Sequence, residues 1–383
     1  MGRETYPIHP VLTIYEVICL GNYRKQLDDV LKILNECINT REEEQLFSQW
    51  RDFALGNNTV EIFRPRRTKQ VCTGADIPHI LINDAMKDYE LMALREFSGC
   101  LQQLTHATGQ IMNVRSNYGT SIIMSLFGVK MAYMADEHDT LPSSYPFDSL
   151  DEIKKCLDNG MPDLNGGLCR KVFEMGEFYQ ELLQKYPKIT KHVHAYHPDF
   201  QGPFDICEVL TGSKIFYALY DEPELIKNFL TLITDTYIAA MKKWLGLFPY
   251  NGQYSVHWGM AHKGPVMLRN DSAMNISDDM FNEFILPYDQ RILEAFGGGA
   301  VHFCGKGDHY IESMTAKYPM LYALHITQPH LNNVDVLFAN SVDKGINLLG
   351  FDNETAREHM GRGFAGRLHS GYSQQTMNPE QSI

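Results

Sequence analysis

Short apolar runs alternating with helical segments constrain this chain more than any other feature. Tyr254 to His257, Val266 to Leu268, Ala300 to Phe303, Leu321 to Ile326 and Ile346 to Gly350 read as strands. Helical patterns fill the intervals 278–296, 308–317 and 333–341. Strands alternating with helices imply parallel βαβ units, because a parallel neighbour needs a crossover connection. Earlier strands are expected at 110–115 and 191–196, and Asp221-Glu222-Pro223 opens a long helix. Pro is tolerated in a first helical turn, and acidic side chains suit its dipole. Enough units are present for a (β/α)₈ TIM barrel, with a doubly wound open sheet as the competitor. No glycine-rich nucleotide loop follows any strand, which disfavours the nucleotide-binding forms of that competitor.

The 383 residues exceed the usual ~250 of a minimal barrel. The excess lies N-terminally, where Leu27, Val30, Leu31, Leu34 and Ile38 recur at helical spacing, as do Leu46, Trp50 and Phe53. The expected organisation is a helical extension over 1–108 packed on a catalytic barrel over 109–383, one structural unit overall. Gly371 to Ile383 is polar and irregular, a tail or a late strand.

With 44% hydrophobic residues the chain can fill a closed core, and a formal net charge of −13 without a basic run argues against nucleic-acid binding. No apolar run is long enough to span a membrane, and Met-Gly-Arg-Glu-Thr-Tyr lacks the apolar region of a secretory signal. Eight scattered cysteines without a C-x-x-C read as reduced thiols, so a cytoplasmic location is expected.

In a parallel barrel the C-terminal strand ends share one mouth, where active sites form. Polar residues collect at those ends. Candidate substrate-binding groups are Arg115, Asn117, Tyr118, His197, Gln201, Arg269, Asn270 and Gln328, and the candidate catalytic groups are Asp271 and His257. Asp271 competes with a capping role before the helix near Asp278. The two arginines, able to clamp a carboxylate bidentately, compete with structural ion pairs. His302-x-Cys304 is the sharpest element, because alternate strand residues face the same side. Imidazole nitrogen and thiolate sulfur together suit Zn²⁺. The competing reading is a hydrogen-bonded core histidine and a small filler. His325, on the next strand, is the first choice for a third ligand; His257, Asp271 and Gln328 are alternatives.

Gly202-Pro-Phe-Asp-Ile, Asp221-Glu-Pro-Glu-Leu, Phe284-Ile-Leu-Pro-Tyr-Asp, His302-Phe-Cys-Gly-Lys-Gly-Asp-His and Gln328-Pro329 together resemble the uroporphyrinogen decarboxylase superfamily over roughly residues 110–352. That resemblance implies a TIM barrel, often dimeric, so a homodimer is an expected assembly. Within the superfamily, the decarboxylases are metal-free and hold substrate carboxylates with an N-terminal Arg-Gln-Ala-Gly-Arg motif, absent here. The zinc methyltransferase branch uses His-x-Cys as zinc ligands, matched by His302 and Cys304, and includes partners of corrinoid proteins. Those enzymes usually add a later cysteine, whereas this chain has none after Cys304. The expected activity is therefore zinc-dependent methyl transfer between a small-molecule substrate and a corrinoid, thiol or folate acceptor. The alternatives are a metal-free lyase with Arg115 and Arg269 as clamps, or a non-catalytic barrel binding a corrinoid or tetrapyrrole.

Overall fold

The central strands are buried on both faces, and alternate residues along them join two different apolar clusters. In the computed structural model, which describes residues 14–68, 79–318 and 320–371, six strands form one parallel sheet. We label the strands in chain order β1 (Ile62–Phe63), β2 (Asn113–Val114), β3 (His194–Ala195), β4 (Val266–Arg269), β5 (Gly299–Phe303), β6 (Leu321–Ile326), β7 (Asn347–Phe351) and β8 (Leu368–Ser370). The sheet runs β1-β8-β7-β6-β5-β4, and β2 and β3 make a separate parallel ladder. Isolated hydrogen bonds bridge the breaks. Gly202 N–H donates to Arg269 O at 2.9 Å, while Arg67 Nη1 donates to Thr108 O at 2.7 Å and Gln110 O at 2.6 Å. The arrangement is TIM-barrel-like, although the ladders join six strands and two, not eight.

Successive strand residues point to opposite faces. Val266, Leu268, Val301, Phe303, Leu324, Ile326, Leu348 and Phe351 join the large core shared with the surrounding helices. Met267, Ala300, Ala323 and Leu349 belong to a second, inner cluster. The same parity carries Arg269, His302 and His325 onto the inner face, toward the C-terminal strand ends. The register sets His302 of β5 beside Arg269 of β4 and His325 of β6.

The helix Thr40–Ala54 seals the inner cluster at the opposite end. Its N-cap Asn39 accepts from Glu42 N–H, and Leu46, Trp50 and Phe53 form one buried stripe. Trp50 Nε1 donates to Gly109 O at 2.7 Å, and its ring packs 5.0 Å from Phe63 and 4.5 Å from His369. Truncating such a fully buried tryptophan to alanine costs about 3–5 kcal/mol.

Four local expectations change. Tyr254–His257 is not a parallel strand but pairs antiparallel with Met260–Lys263. Trp258 and Gly259, with φ of 49° and 74°, turn that hairpin, and Val256, Met260 and Ala261 fill the inner cluster. Ile62–Phe63, in a stretch read as helix-rich, pairs with β8. The expected helix over 278–296 divides into Asp278–Phe284 and Leu286–Phe296, with Pro287 near the start of the second. The expected strand over 191–196 shrinks to β3, because Pro187–His192 is helical. The long helix is present as Pro223–Leu247. The proposed tail beyond Gly371 lies outside the described residues. Among the described residues Cys37, Cys100, Cys156, Cys169, Cys207 and Cys304 are free thiols, and no helix is long and apolar enough to cross a membrane.

Candidate metal centre

His302 is the inner-facing residue near the end of β5, and Cys304 follows the strand by one step. Cys304 Sγ lies 3.4 Å from His302 Nε2, and Asp271 Oδ1 lies 3.4 Å from the same nitrogen. Among the described residues, Asp271, His302 and Cys304 form a group of three ligand atoms within 4.8 Å of one another. A tetrahedral zinc with ordinary bond lengths separates its N and S ligands by about 3.6 Å and its N and O ligands by about 3.3 Å. The donor set and the two separations from His302 Nε2 therefore suit zinc.

The loop after β4 brings Asp271 to this position. Asp271 Oδ1 accepts the Cys304 N–H at 3.1 Å, so the carboxylate is aligned from the strand it faces. Asp205, buried in the helix Pro203–Thr211, accepts from Asp271 N–H and Ser272 N–H, both at 2.8 Å. The helix near Asp278 is capped by Ser277, which removes the capping role weighed for Asp271. Burial works to raise the Asp271 carboxyl, but His302 and the Cys304 donors outweigh it and hold the group below its ordinary range. The Cys304 thiol is pushed up to about 11 by burial and then by the Asp271 charge, opposed by the Thr327 hydroxyl that donates to Sγ at 3.3 Å. Without a cation this thiol stays protonated.

His325 does not face the same point as Asp271 and Cys304. Its Nδ1 lies 2.9 Å from His302 Nδ1, and its carbonyl oxygen lies 3.1 Å from that nitrogen. With a cation bound, a proton on His302 Nδ1 would serve both contacts and leave the Nε2 lone pair to face the ion beside Asp271 and Cys304. The geometry thus exchanges the first-choice third ligand, His325, for the alternative, Asp271. Gln328 is also drawn elsewhere, since its Oε1 accepts from Gly305 N–H at 2.6 Å.

A second polar cluster adjoins the first. Arg115 and Arg269 both donate to Asp199, one to each carboxylate oxygen. Burial works to raise Asp199, and Arg269 and then Arg115 outweigh it, keeping the carboxylate ionised. Arg269 also donates to Phe200 O at 3.1 Å and to His257 Nε2 at 2.9 Å. His257 therefore carries its proton on Nδ1, which has no partner among the described residues. Burial, then His197 and Arg269, hold His257 far below the ordinary histidine range, a poor setting for a general base. His197 is structural in its contacts: Nδ1 donates to Pro198 O at 2.8 Å, and Nε2 accepts from Met267 N–H at 3.0 Å. Neither nitrogen is left for substrate.

Trp258 links the two clusters. Its ring lies 5.1 Å from His302 and from His325, with the Arg269 guanidinium 4.8 Å over it. A non-glycine residue at positive φ stores strain, and such residues concentrate at working sites. The only advance signal for Trp258 was the Trp-Gly pair within an alternating stretch. Glu96 was also missed: it accepts from Arg115 N–H and Asn117 Nδ2, both at 3.2 Å. Asn117 Oδ1, Gln201 Oε1 and the Tyr118 hydroxyl are buried without partners among the described residues. Asn270 turns away from the mouth, donating from Nδ2 to Asp289 at 2.6 Å. Two cavities, about 200 Å³ beside Phe47 and His194 and about 340 Å³ beside Asn83 and Tyr133, both lie away from the triad.

No family model matches this sequence, and no curated protein matches it. Among solved structures the chain is similar to a methyltransferase from Methanosarcina mazei. The TM-score is 0.55 at 16% identity, over 80% of this chain and 82% of that one. At that identity the likeness speaks for a shared fold.

Proposed function

We propose that this chain is a zinc-dependent methyltransferase of the uroporphyrinogen decarboxylase superfamily, with Asp271, His302 and Cys304 as its zinc ligands. The observation that carries the reading is the convergence of one carboxylate, one imidazole and one thiol at the C-terminal strand ends. The absent late cysteine had weighed against a zinc site. A carboxylate supplies the same formal charge as a second thiolate, so the Asp271 set still neutralises Zn²⁺, although it is a harder donor set. Zinc, when bound, supplies a Lewis acid for activating a methyl acceptor.

The protein's own groups divide the remaining work. Thr327 donates to Cys304 Sγ, and Asp271 is held by the Cys304 amide and the Asp205-bound loop. Arg115, with its side chain 24% exposed against 3% for Arg269, is the guanidinium open to substrate. Asn117 and Gln201 offer unpartnered amide oxygens for orienting it. His257 offers an N–H and no basic nitrogen. The substrate is small; a corrinoid, a thiol or a folate accepts the methyl group, and a corrinoid protein is the partner in the first case. The metal-free lyase reading calls on both arginines as clamps, and it is less favoured because Arg269 is buried and committed to Asp199.

Metal analysis of the purified protein tests this. Wild type is expected to hold about one zinc per chain, lost in Cys304→Ala and in Asp271→Ala but kept in His325→Ala at reduced affinity. Zinc-free wild type after zinc loading, or full zinc in Cys304→Ala, would overturn it.

A further inference from the structure

A fully buried acid behind the metal centre has no cation to pair with among the described residues. Asp289, in the helix Leu286–Phe296, is 0% exposed. Its Oδ2 accepts from Asn270 Nδ2 at 2.6 Å and from the Tyr318 hydroxyl at 3.0 Å. Its Oδ1 has no partner among the described residues. Burial pushes this carboxyl up to about 7, only partly offset by the Asn270 and Tyr318 hydrogen bonds. A buried charge without a counter-ion costs stability, and an apolar side chain of similar size would avoid that cost.

The position of its partner explains why such a residue is useful here. Asn270 sits between Arg269, which holds Asp199 and His257, and Asp271. Its own N–H donates to His302 O at 2.9 Å. Its Oδ1 packs so close to Gly202 that a Cβ on that glycine would stand 2.7 Å away. The loop 270–272 is thus gripped by Asp289 through a side chain and by Asp205 through two main-chain N–H groups. We propose that Asp289 is a positioning residue for the metal centre: it fixes Asn270, and through the main chain it sets the direction of the Asp271 carboxylate. This rests on the zinc reading above. Proteins commonly accept lower stability at residues that preorganise a site.

The test uses Co²⁺ as a probe, titrated into metal-free protein and read by its visible thiolate band, beside thermal unfolding at pH 8. Asp289→Leu removes both the buried charge and the acceptor of the Asn270 bond. It is expected to bind Co²⁺ about tenfold more weakly, the scale of lost outer-shell support, with an unfolding temperature equal to or above wild type. Asn270→Ala should weaken Co²⁺ similarly, and the double variant should be no worse than Asn270→Ala alone, because both changes break one contact. Tyr318→Phe, which leaves the Asn270 bond intact, should hold Co²⁺ within about twofold of wild type. Unchanged Co²⁺ affinity in Asp289→Leu, or additive losses in the double variant, would overturn the inference while leaving the metal centre standing. A wild type that shows no thiolate band would instead remove the zinc reading itself.

Discussion

Asp199 is the residue whose loss the structure predicts most sharply. It is 7% exposed and receives both Arg115 and Arg269. Asp199→Asn leaves two guanidiniums with one neutral oxygen between them. Arg115 keeps a quarter of its side chain in water and rehydrates, so its share of the cost is small. Arg269, 3% exposed, has no such route. Breaking one partner of a buried pair costs about 3–5 kcal/mol. Arg269 keeps Phe200 O, His257 and the Trp258 face, which places the expected loss near the lower end, about 3 kcal/mol. Urea denaturation at pH 7.5, followed by near-ultraviolet circular dichroism, measures it. The double variant Asp199→Asn, Arg269→Met should recover part of the loss, giving a coupling of about 1–3 kcal/mol. A loss under about 1 kcal/mol in the single variant, or strict additivity, would refute the claim that Asp199 is the counter-ion of a buried cation.

Acid should unfold the protein well above the ordinary carboxylate range. Burial holds His197 to about 3, His262 to about 4 and His369 to about 3. The unfolded chain binds protons at these sites below about pH 6.5 and the folded chain does not, so stability is full above 6.5 and falls as pH drops. These three groups alone give a limiting slope of about 4 kcal/mol per pH unit; urea midpoints that stay flat from pH 7 to pH 5 would contradict this. Trp50→Phe removes the bond to Gly109 O and leaves a buried carbonyl unpaired, at a cost of about 1–3 kcal/mol. An unchanged urea midpoint for that variant would show that water or a shift of the chain replaces the indole.

The strands β4 to β7 were legible because each is an apolar run with turn signals at both ends. Their parity also showed that His302 and Cys304 leave the same face. Of the two-residue strands, β2 and β3 fall inside the strands expected over 110–115 and 191–196 but are shorter, whereas β1 carries no such pattern and long-range pairing alone makes it a strand. Tyr254–His257 alternates as a barrel strand would, and its turn uses Trp-Gly instead of the commoner Asn-Gly, so the hairpin was hidden. At the site, sequence order brought His325 beside His302, as the β5–β6 register shows. It could not tell which edge of the His302 ring His325 would meet. Asp271 reached the open edge because Asp205 and Cys304 hold its loop, contacts separated from it by 66 and 33 positions. Likewise, the charges of Arg115, Asp199 and Arg269 are visible in the sequence, but their mutual pairing is a product of the fold.

The central claim is the ligand set, and X-ray absorption at the zinc edge reads it directly. Zinc-loaded protein is expected to show one sulfur at about 2.3 Å and the remaining ligands as nitrogen or oxygen at about 2.0–2.1 Å. The sulfur shell should vanish in Cys304→Ala, and the imidazole contribution should fall in His302→Ala but persist in His325→Ala. Two sulfur ligands, no sulfur, or loss of an imidazole on removing His325 would contradict an Asp271, His302 and Cys304 centre.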